Sequence, residues 1–156
     1  MRRAPSRPPR AAVPALVALI TLPACERYPR DPRETLAHAA GGVLRVGVTD
    51  APPWIVRTGE VAQGPEADLV LAFAGSIGAR VEWRFGAAED HLAALERFEL
   101  DVVAAGLRAD SPWSKRVGFT RPWQETGDAG RVLAVPPGEN ATIVALERLI
   151  ERARAR

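Results

Sequence analysis

The sequence predicts an α/β fold in which helices cover a parallel sheet. Short apolar runs typical of buried strands alternate with segments of helical periodicity, in the order strand, helix, strand, helix, strand, helix. Glycine or proline separates most of these segments. Such alternation favours parallel strands joined by right-handed crossovers. The 156 residues, 47% of them hydrophobic, suffice for one domain with its own core.

The first predicted strand ends in a sharp turn. The apolar run 43–48 predicts a buried strand, and the segment Asp50-Ala-Pro-Pro-Trp54 redirects the chain after it. The polar residues 57–63 predict a hairpin-like turn before the next element.

The first long helix is predicted to open at Gly64 and to end at Gly78. Pro65 fits its first turn, and the acids Glu66 and Asp68 suit the positive end of the helix dipole. Apolar residues at helical spacing form its inward face: Leu69, Val70, Phe73, Ala74 and Ile77.

A second strand and helix follow. Residues 80–85 alternate charged and apolar side chains, which predicts a strand with one buried face. A helix then runs from about Ala88 to Phe98. Glu89 lies in its first turn, where the helix dipole is usually enough to explain an isolated acid.

Residues 100–123 contain the third strand and a turn into a new helix. The apolar run 102–105 predicts a strand buried on both faces, and Gly106 ends it. Asp110 is predicted to cap the next helix, with Pro112 in the first turn. Ligands of open α/β sheets bind outside the carboxyl ends of the strands. Two interpretations stay open, a ligand site and an ordinary strand-to-helix turn.

This stretch resembles the end of the first lobe in family 3 of the bacterial extracellular solute-binding proteins. The matching residues are Asp101, Val102, Val103, Ala104, Gly106, Leu107, Phe119, Thr120, Pro122 and Trp123. The resemblance implies a three-layer, parallel-sheet lobe of the type II periplasmic binding protein-like fold. It implies a truncated one, because residues 131–152 resemble the return strand and closing helix while the second lobe is missing.

The resemblance also implies where a ligand would touch the chain. Asp50 and Trp54 occupy the loop that often contacts ligand in the family, although Trp54 would serve equally as a hydrophobic plug at the sheet edge. Glu89 takes the place of a frequent aromatic contact. The remaining candidates are Gly106, Arg108, Asp110 and Trp113.

Two departures from the family pattern affect the expected ligand. The arginine that clamps an amino acid's carboxylate falls on Trp113, and the preceding threonine falls on Asp110. An indole cannot grip a carboxylate as a guanidinium does, so Arg108, Lys115 or Arg116 would have to substitute. Trp113 would either stack on a cationic or ring-bearing ligand or merely pack.

The resemblance implies a non-enzymatic protein that binds a small polar solute, amino-acid-like ones included, and docks with an ABC-type transporter permease. We expect weak binding or none, because family members enclose ligand between two lobes. One alternative is a single-lobe interaction module, or a decayed remnant, whose docking patch includes Trp54, Trp113 and Trp123. Another is a lyase of the cyclohexadienyl dehydratase type, which would need an acid and a base from among Glu89, Asp110 and Glu125.

Composition narrows the other classes of function. Without residues 1–24 the balance is 17 basic to 19 acidic residues, which removes the support for a nucleic-acid partner. Two distant histidines and one cysteine form no metal-ligand pattern, and the chain shows no dinucleotide or phosphate-loop motif. We therefore expect no cofactor and no metal.

The N-terminus predicts export and a membrane anchor. Residues 1–24 hold four arginines and then a short apolar run, as in a lipoprotein-type signal peptide. Leu22-Pro23-Ala24-Cys25 resembles a lipobox, which predicts a lipidated Cys25 on a protein facing the periplasm or cell surface. A soluble secreted protein is the alternative. Residues 25–42 are predicted to form a tether, or else the first helix of the domain, and residues 43–156 the lobe.

Overall fold

The computed structural model describes residues 31–124 and 129–155. The predicted signal peptide, Cys25 and Glu125 lie outside these residues. In chain order the helices and strands are α1 (Thr35–Ala39), β1 (Val43–Val48), β2 (Val56–Thr58), β3 (Val61–Gln63), α2 (Pro65–Ser76), β4 (Arg80–Phe85), α3 (Ala88–Glu96), β5 (Val102–Arg108), a 3₁₀ turn (Pro112–Lys115), β6 (Gly118–Phe119), β7 (Arg131–Val135) and α4 (Asn140–Arg154).

The main sheet has the strand order β4-β1-β5-β7-β6. Strand β1 runs parallel to both of its neighbours, and Val46 lies opposite Trp83 on β4 and Val102 on β5. The predicted parallel strands are therefore confirmed. Strand β7 is antiparallel to β5 and to β6. The result is a mixed, mostly parallel sheet.

Residues 56–63 form a small hairpin beside the main sheet. Val56–Thr58 pairs with Val61–Gln63 in antiparallel register. Gly59 adopts a φ of 63° in its turn, a backbone conformation that glycine tolerates best. The hairpin-like turn predicted there is confirmed.

Helices pack on both faces of the main sheet. On one face, Val102 and Ala104 of β5 join a buried cluster with residues of α2 and α4. On the other, Val103 of the same strand belongs to a cluster with Leu92 and Leu95 of α3. This alternation is the period-two pattern of a strand covered on both sides. The predicted three-layer α/β lobe is confirmed.

The N-terminal segment is part of the domain. Thr35 and Ala39 of α1 are buried against the lobe. The carboxylate of Glu139 accepts hydrogen bonds from the backbone N–H groups of Arg33 (2.8 Å) and Thr35 (3.0 Å). The tether expected over residues 25–42 is thus wrong for residues 31–42, where the alternative of a first helix is correct. The cause is a buried acid more than a hundred residues away in sequence.

Within the described residues, no helix is long and apolar enough to cross a membrane.

Candidate functional site

The carboxyl ends of the three parallel strands meet at one edge of the sheet. The Thr49 hydroxyl donates to the carbonyl of Gly86 at 2.9 Å, which joins the segment after β1 to the segment after β4. The Thr49 N–H donates to the carbonyl of Ala104 at 3.4 Å, which joins it to β5. This edge, called the carboxyl edge below, is where open α/β sheets bind ligands.

Asp50 lies on the carboxyl edge with an exposed side chain. Its Oδ1 accepts a hydrogen bond from the Arg57 N–H at 2.6 Å, which holds the β2–β3 hairpin against the turn after β1. The Arg57 guanidinium lies 4.5 Å from the centre of the Phe85 ring. Asp50 therefore supports the local fold as well as presenting negative charge at the edge.

Trp54 is half-buried and packs inside the fold. Its indole meets that of Trp123 edge-to-face, with ring centres 5.8 Å apart. The Arg131 guanidinium lies 5.0 Å from the centre of the Trp54 ring. These contacts favour the interpretation of Trp54 as a hydrophobic plug, and ligand contact by this side chain stays a prediction.

Gly106 is held by side chains on two sides. Its N–H donates to Oε2 of Glu66 at 2.9 Å, and its carbonyl accepts from Nη1 of Arg131 at 2.6 Å. Its φ is 59°, and an added Cβ would lie 2.7 Å from the Cβ of Ala51. Only glycine fits this position without strain, because it has no Cβ and adopts positive φ freely.

Glu66 is fully buried beneath Gly106. Burial raises the pKa of its carboxyl to about 7, while the Gly106 N–H, the Trp123 indole and the charge of Arg131 act in the opposite direction. Three polar atoms here are buried without a hydrogen-bond partner: Glu66 Oε1, Trp123 Nε1 and Arg131 Nε. One carboxylate, one indole N–H and one guanidinium thus form a charged cluster inside the fold.

This cluster was not predicted from the sequence. Glu66 was predicted only to suit the helix dipole, although Glu66, Val70 and Phe73 are spaced four and three residues apart and so share one helix face. That spacing was a signal for the burial of Glu66. No local signal pointed to Arg131, because its contact with Gly106 spans 25 residues.

Arg108 and Asp110 form a two-pronged ion pair at the end of β5. Nε and Nη2 of the arginine lie 3.0 Å and 2.8 Å from the two carboxylate oxygens. Both side chains are exposed, and the Arg108 guanidinium lowers the pKa of Asp110. Asp110 does not cap a helix as predicted. The residue after it, Ser111, accepts the capping hydrogen bond from the Trp113 N–H, and the helix is a single 3₁₀ turn.

Trp113 packs against the α3 side of the lobe. The Arg116 guanidinium lies 4.4 Å from the centre of its ring. Arg116 is in turn bound by the carboxylate of Glu96 on α3, at 2.7 Å from Nε. The Arg116 guanidinium of the same chain thus lies over the indole of Trp113, which favours packing of this ring over stacking on a ligand.

Glu89 is exposed in the first turn of α3. Among the described residues it has no hydrogen-bond or ion-pair partner. The structure therefore brings Asp50, Glu89, Arg108 and Asp110 to the solvent-exposed surface near the strand ends, and keeps Trp54 and Gly106 engaged within the fold.

The alternative of a docking patch that includes three tryptophans stays a prediction. Trp54, Trp113 and Trp123 are each partly buried against protein groups. In the part of the chain that the structure describes, the exposed large hydrophobic residues are Val61 and Leu71.

The described residues also contain no group of three or more metal-binding side chains. For the lyase alternative, the lowered pKa of Asp110 is the reverse of what a general acid needs. Glu125 lies outside the described residues.

Two grooves lie on the helical surface. One, of about 710 Å³, runs between α2 and α4. The other, of about 540 Å³, lies between α1 and α4. Neither groove is lined by a predicted ligand residue, so the open carboxyl edge is the candidate site.

A three-layer lobe with an open carboxyl edge is the architecture of one half of a two-lobed binding protein. The profile of the bacterial extracellular solute-binding proteins, family 3, matches residues 44–147. The chain belongs to this family. Membership implies a small-solute ligand and an extracytoplasmic location. No curated protein sequence matches the chain significantly.

Solved structures show the same fold. The arginine-bound form of domain 1 from TmArgBP of T. maritima is 20% identical, with a TM-score of 0.65 over 71% of this chain and 93% of that one. The ancestral amino acid-binding protein AncCDT-1, a precursor of cyclohexadienyl dehydratase, is 14% identical, with a TM-score of 0.69 over 78% and 93%. The likeness to a domain 1 confirms the prediction of a single lobe.

A third similar structure is an amino acid ABC transporter substrate-binding protein from Streptococcus pneumoniae, bound to L-arginine. It is 10% identical, with a TM-score of 0.68 over 78% of this chain and 92% of that chain.

Proposed function

We propose that this chain is an extracytoplasmic, non-enzymatic solute-binding lobe that holds a small polar, amino-acid-like solute at its carboxyl edge. The observation that carries the proposal is the exposed Arg108–Asp110 pair at the end of β5. It offers a guanidinium and a carboxylate side by side at the edge where such sheets bind ligands. A zwitterionic solute has the complementary pair of charges.

The charge around this pair favours a solute with an additional cationic group. Asp50 and Glu89 add two exposed acids near the same strand ends. Arg131, which is a further cation of this region, is directed inward to the Gly106 carbonyl. These exposed acids suit the cationic side chain of a basic amino acid better than the carboxylate side chain of an acidic one. Arginine is the ligand in two of the similar structures, which supports this choice.

A similar solved structure supports a single lobe as a binding unit. Domain 1 from TmArgBP is similar over most of its length and is described in an arginine-bound form. An open edge buries less of a ligand than a closed cleft, so we expect a weak affinity.

Solute binding is tested by thermal melting of the purified protein against basic, neutral and acidic amino acids, polyamines, organic acids and sugars. A ligand that binds only the folded state at a hundredfold excess over Kd stabilises it by about 2.7 kcal/mol. We expect the basic amino acids to raise Tm. No shift with any class at millimolar concentration would contradict the proposal.

The proposal extends to the membrane. We propose that Cys25 carries lipid and that the anchored lobe delivers its solute to an ABC-type permease. The resemblance of Leu22-Pro23-Ala24-Cys25 to a lipobox supports the anchor. Labelling with a radioactive fatty acid, compared between the wild type and Cys25→Ser, tests it. A chain that is not labelled and leaves the membrane fraction in salt would refute it.

A further inference from the structure

We propose that Glu66 is a positioning residue for the solute site, and that a proton on its carboxylate loosens the end of β5 and weakens solute binding. This inference rests on the proposed function. The assembly involved, the Gly106 clamp, consists of Glu66, Gly106 and Arg131.

The clamp holds the point where β5 departs from regular geometry. The pairing of β5 with β7 shifts register between Val103 and Leu107, and Gly106 lies within this shift at a positive φ. Glycine populates positive and negative φ about equally readily, so its own preference does not select the observed conformation. The hydrogen bonds from Glu66 and Arg131 do so from outside the strand.

The conformation of Gly106 sets the course of the next residues. Arg108 follows two residues later and ends the strand, and Asp110 lies two residues beyond it. A change at Gly106 would redirect both members of this ion pair. Glu66 thus acts on the solute site through Gly106, without touching solute itself, because its own side chain is fully buried.

Glu66 is also attached to the turn after β1. Its backbone N–H donates to the carbonyl of Trp54 at 3.1 Å, which fixes the start of α2 on that turn. The residue therefore connects the ends of two neighbouring parallel strands.

The surroundings of the carboxylate match its ionised form. Oε2 accepts from the Gly106 N–H, and the unpartnered N–H groups of Trp123 and Arg131 are both donors. A protonated carboxyl would place an O–H donor beside these two N–H donors. Neither of them can accept a hydrogen bond from it. Protonation therefore weakens the hydrogen bond from the Gly106 N–H to the Glu66 carboxyl, and it leaves the new O–H without an acceptor.

Among the charged groups around Glu66, its own carboxyl is the one whose protonation changes near neutral pH. Arg131 of β7 is the charge that acts on it. Asp68, on the same helix, is exposed. On β5 the nearest charges are Arg108 and Asp110, which pair with each other at the surface. The side chains that Trp54 and Trp123 add to this region are indoles, which carry no charge. Burial raises the pKa of Glu66 to about 7, so the change falls near neutral pH.

The first test needs no solute. The full-length protein, purified in detergent with its glycine amides labelled with ¹⁵N, is followed by NMR from pH 5 to pH 9. We expect the Gly106 amide proton to move upfield on acidification with a midpoint near 7, because its hydrogen bond to a carboxylate weakens. In Glu66→Gln, which retains an acceptor oxygen, the same signal should not titrate. The exposed Asp68→Asn is the matched control and should titrate like the wild type.

The second test measures solute affinity against pH by calorimetry. The wild-type Kd for the basic amino acid should rise below neutral pH, approaching about tenfold for each pH unit. In Glu66→Gln it should not vary in this range. An untitrated Gly106 amide in the wild type would overturn the clamp, and this readout holds even where the variant fails to fold.

The two tests separate failure of the inference from failure of the proposed function. A wild-type affinity that is independent of pH would overturn the inference while leaving the solute-binding role intact. A chain that binds no solute at any pH would overturn the proposed function and the linkage to solute, whatever the Gly106 amide does.

Discussion

The carboxylate of Asp101 binds Arg45 through both the backbone and the side chain of the arginine. Oδ2 accepts from the Arg45 N–H at 2.8 Å and from Nε at 3.1 Å, and Oδ1 accepts from Nη2. The Asp101 N–H returns a hydrogen bond to the Arg45 carbonyl at 2.9 Å. Asp101 is buried at the start of β5, so this contact joins β1 to β5 at the edge opposite the solute site.

Asp101→Ala should destabilise the fold, because it leaves the Arg45 N–H without its partner and breaks a partly buried ion pair. We expect a loss of about 2–4 kcal/mol in the free energy of unfolding, measured by urea denaturation. Glu99→Ala is the control, since Glu99 is exposed and pairs with the nearby Arg97. Equal effects of the two substitutions would contradict a structural role for Asp101.

The local parts of the fold were predictable from the sequence. The run 43–48 and the alternation in 80–85 give the strand positions, and Pro65 gives the start of α2 to the residue. These features depend on neighbours along the chain, for which side-chain periodicity and backbone preferences are sufficient. Asp101 itself was matched to the family pattern, but its partner Arg45 was not predictable because it lies 56 residues away.

The errors arose where distant contacts decide the structure. Residues 31–42 contain a proline and charges typical of a linker, yet Glu139 binds the backbone there. Aspartate is a common helix-capping residue, but Asp110 pairs with Arg108, and Ser111 caps the turn instead. The exposed site residues stay predictions, because no local pattern distinguishes a charge that binds solute from one that is only solvated.

Gly106→Ala should destabilise the protein in two ways. The new Cβ would lie 2.7 Å from that of Ala51, and alanine at positive φ is strained. Together we expect a cost of about 2–4 kcal/mol, measured as a lower Tm.

Gly59→Ala separates the two contributions. Gly59 also has a positive φ, but nothing lies within 4 Å of its added Cβ. Its substitution should cost only the backbone strain, about 1 kcal/mol. A cost at Gly106 no larger than that at Gly59 would argue against close packing on Ala51.

The stability of the protein should fall as pH rises from about 4.5 to about 7. Burial raises the pKa of Glu66 from 4.5 to about 7 in the folded state, so over this range the folded protein retains a proton that the unfolded chain has lost. The difference amounts to at most about 3 kcal/mol. The ionised carboxylate accepts the stronger hydrogen bond from the Gly106 N–H, but it is also the form that costs more to bury.

Urea denaturation at pH 5 and at pH 8 measures this effect. Because other acids titrate in the same range, the quantity of interest is the difference in unfolding free energy between the wild type and Glu66→Gln. From pH 5 to pH 8 the wild type should lose stability relative to the variant. Parallel pH profiles for the two proteins would show that Glu66 does not titrate as expected.

Glu139→Ala should release the N-terminal segment from the lobe. Glu139 is fully buried and accepts from the backbone of Arg33 and Thr35. Without it, two N–H groups lose their acceptor at a cost of about 2–3 kcal/mol. Hydrogen exchange of residues 33–39 should accelerate while that of β1 and β5 is unchanged. Glu139→Gln, which keeps an acceptor, should have a smaller effect, and uniform acceleration throughout the protein would indicate global unfolding instead.

Arg108→Ala should weaken binding of a solute that carries a carboxylate and spare an analogue that lacks one. Charge-assisted hydrogen bonds from a guanidinium to a carboxylate contribute about 1.5–3 kcal/mol, which corresponds to a loss of roughly 10–150-fold in affinity. Calorimetry with arginine and with its decarboxylated analogue agmatine gives the comparison. Arg97→Ala is the matched control, because Arg97 forms the same type of exposed pair with an acid two residues later, Glu99. If Arg108→Ala weakens arginine and agmatine equally, the guanidinium does not bind the carboxylate, and the site must hold its solute by the acids of the carboxyl edge alone.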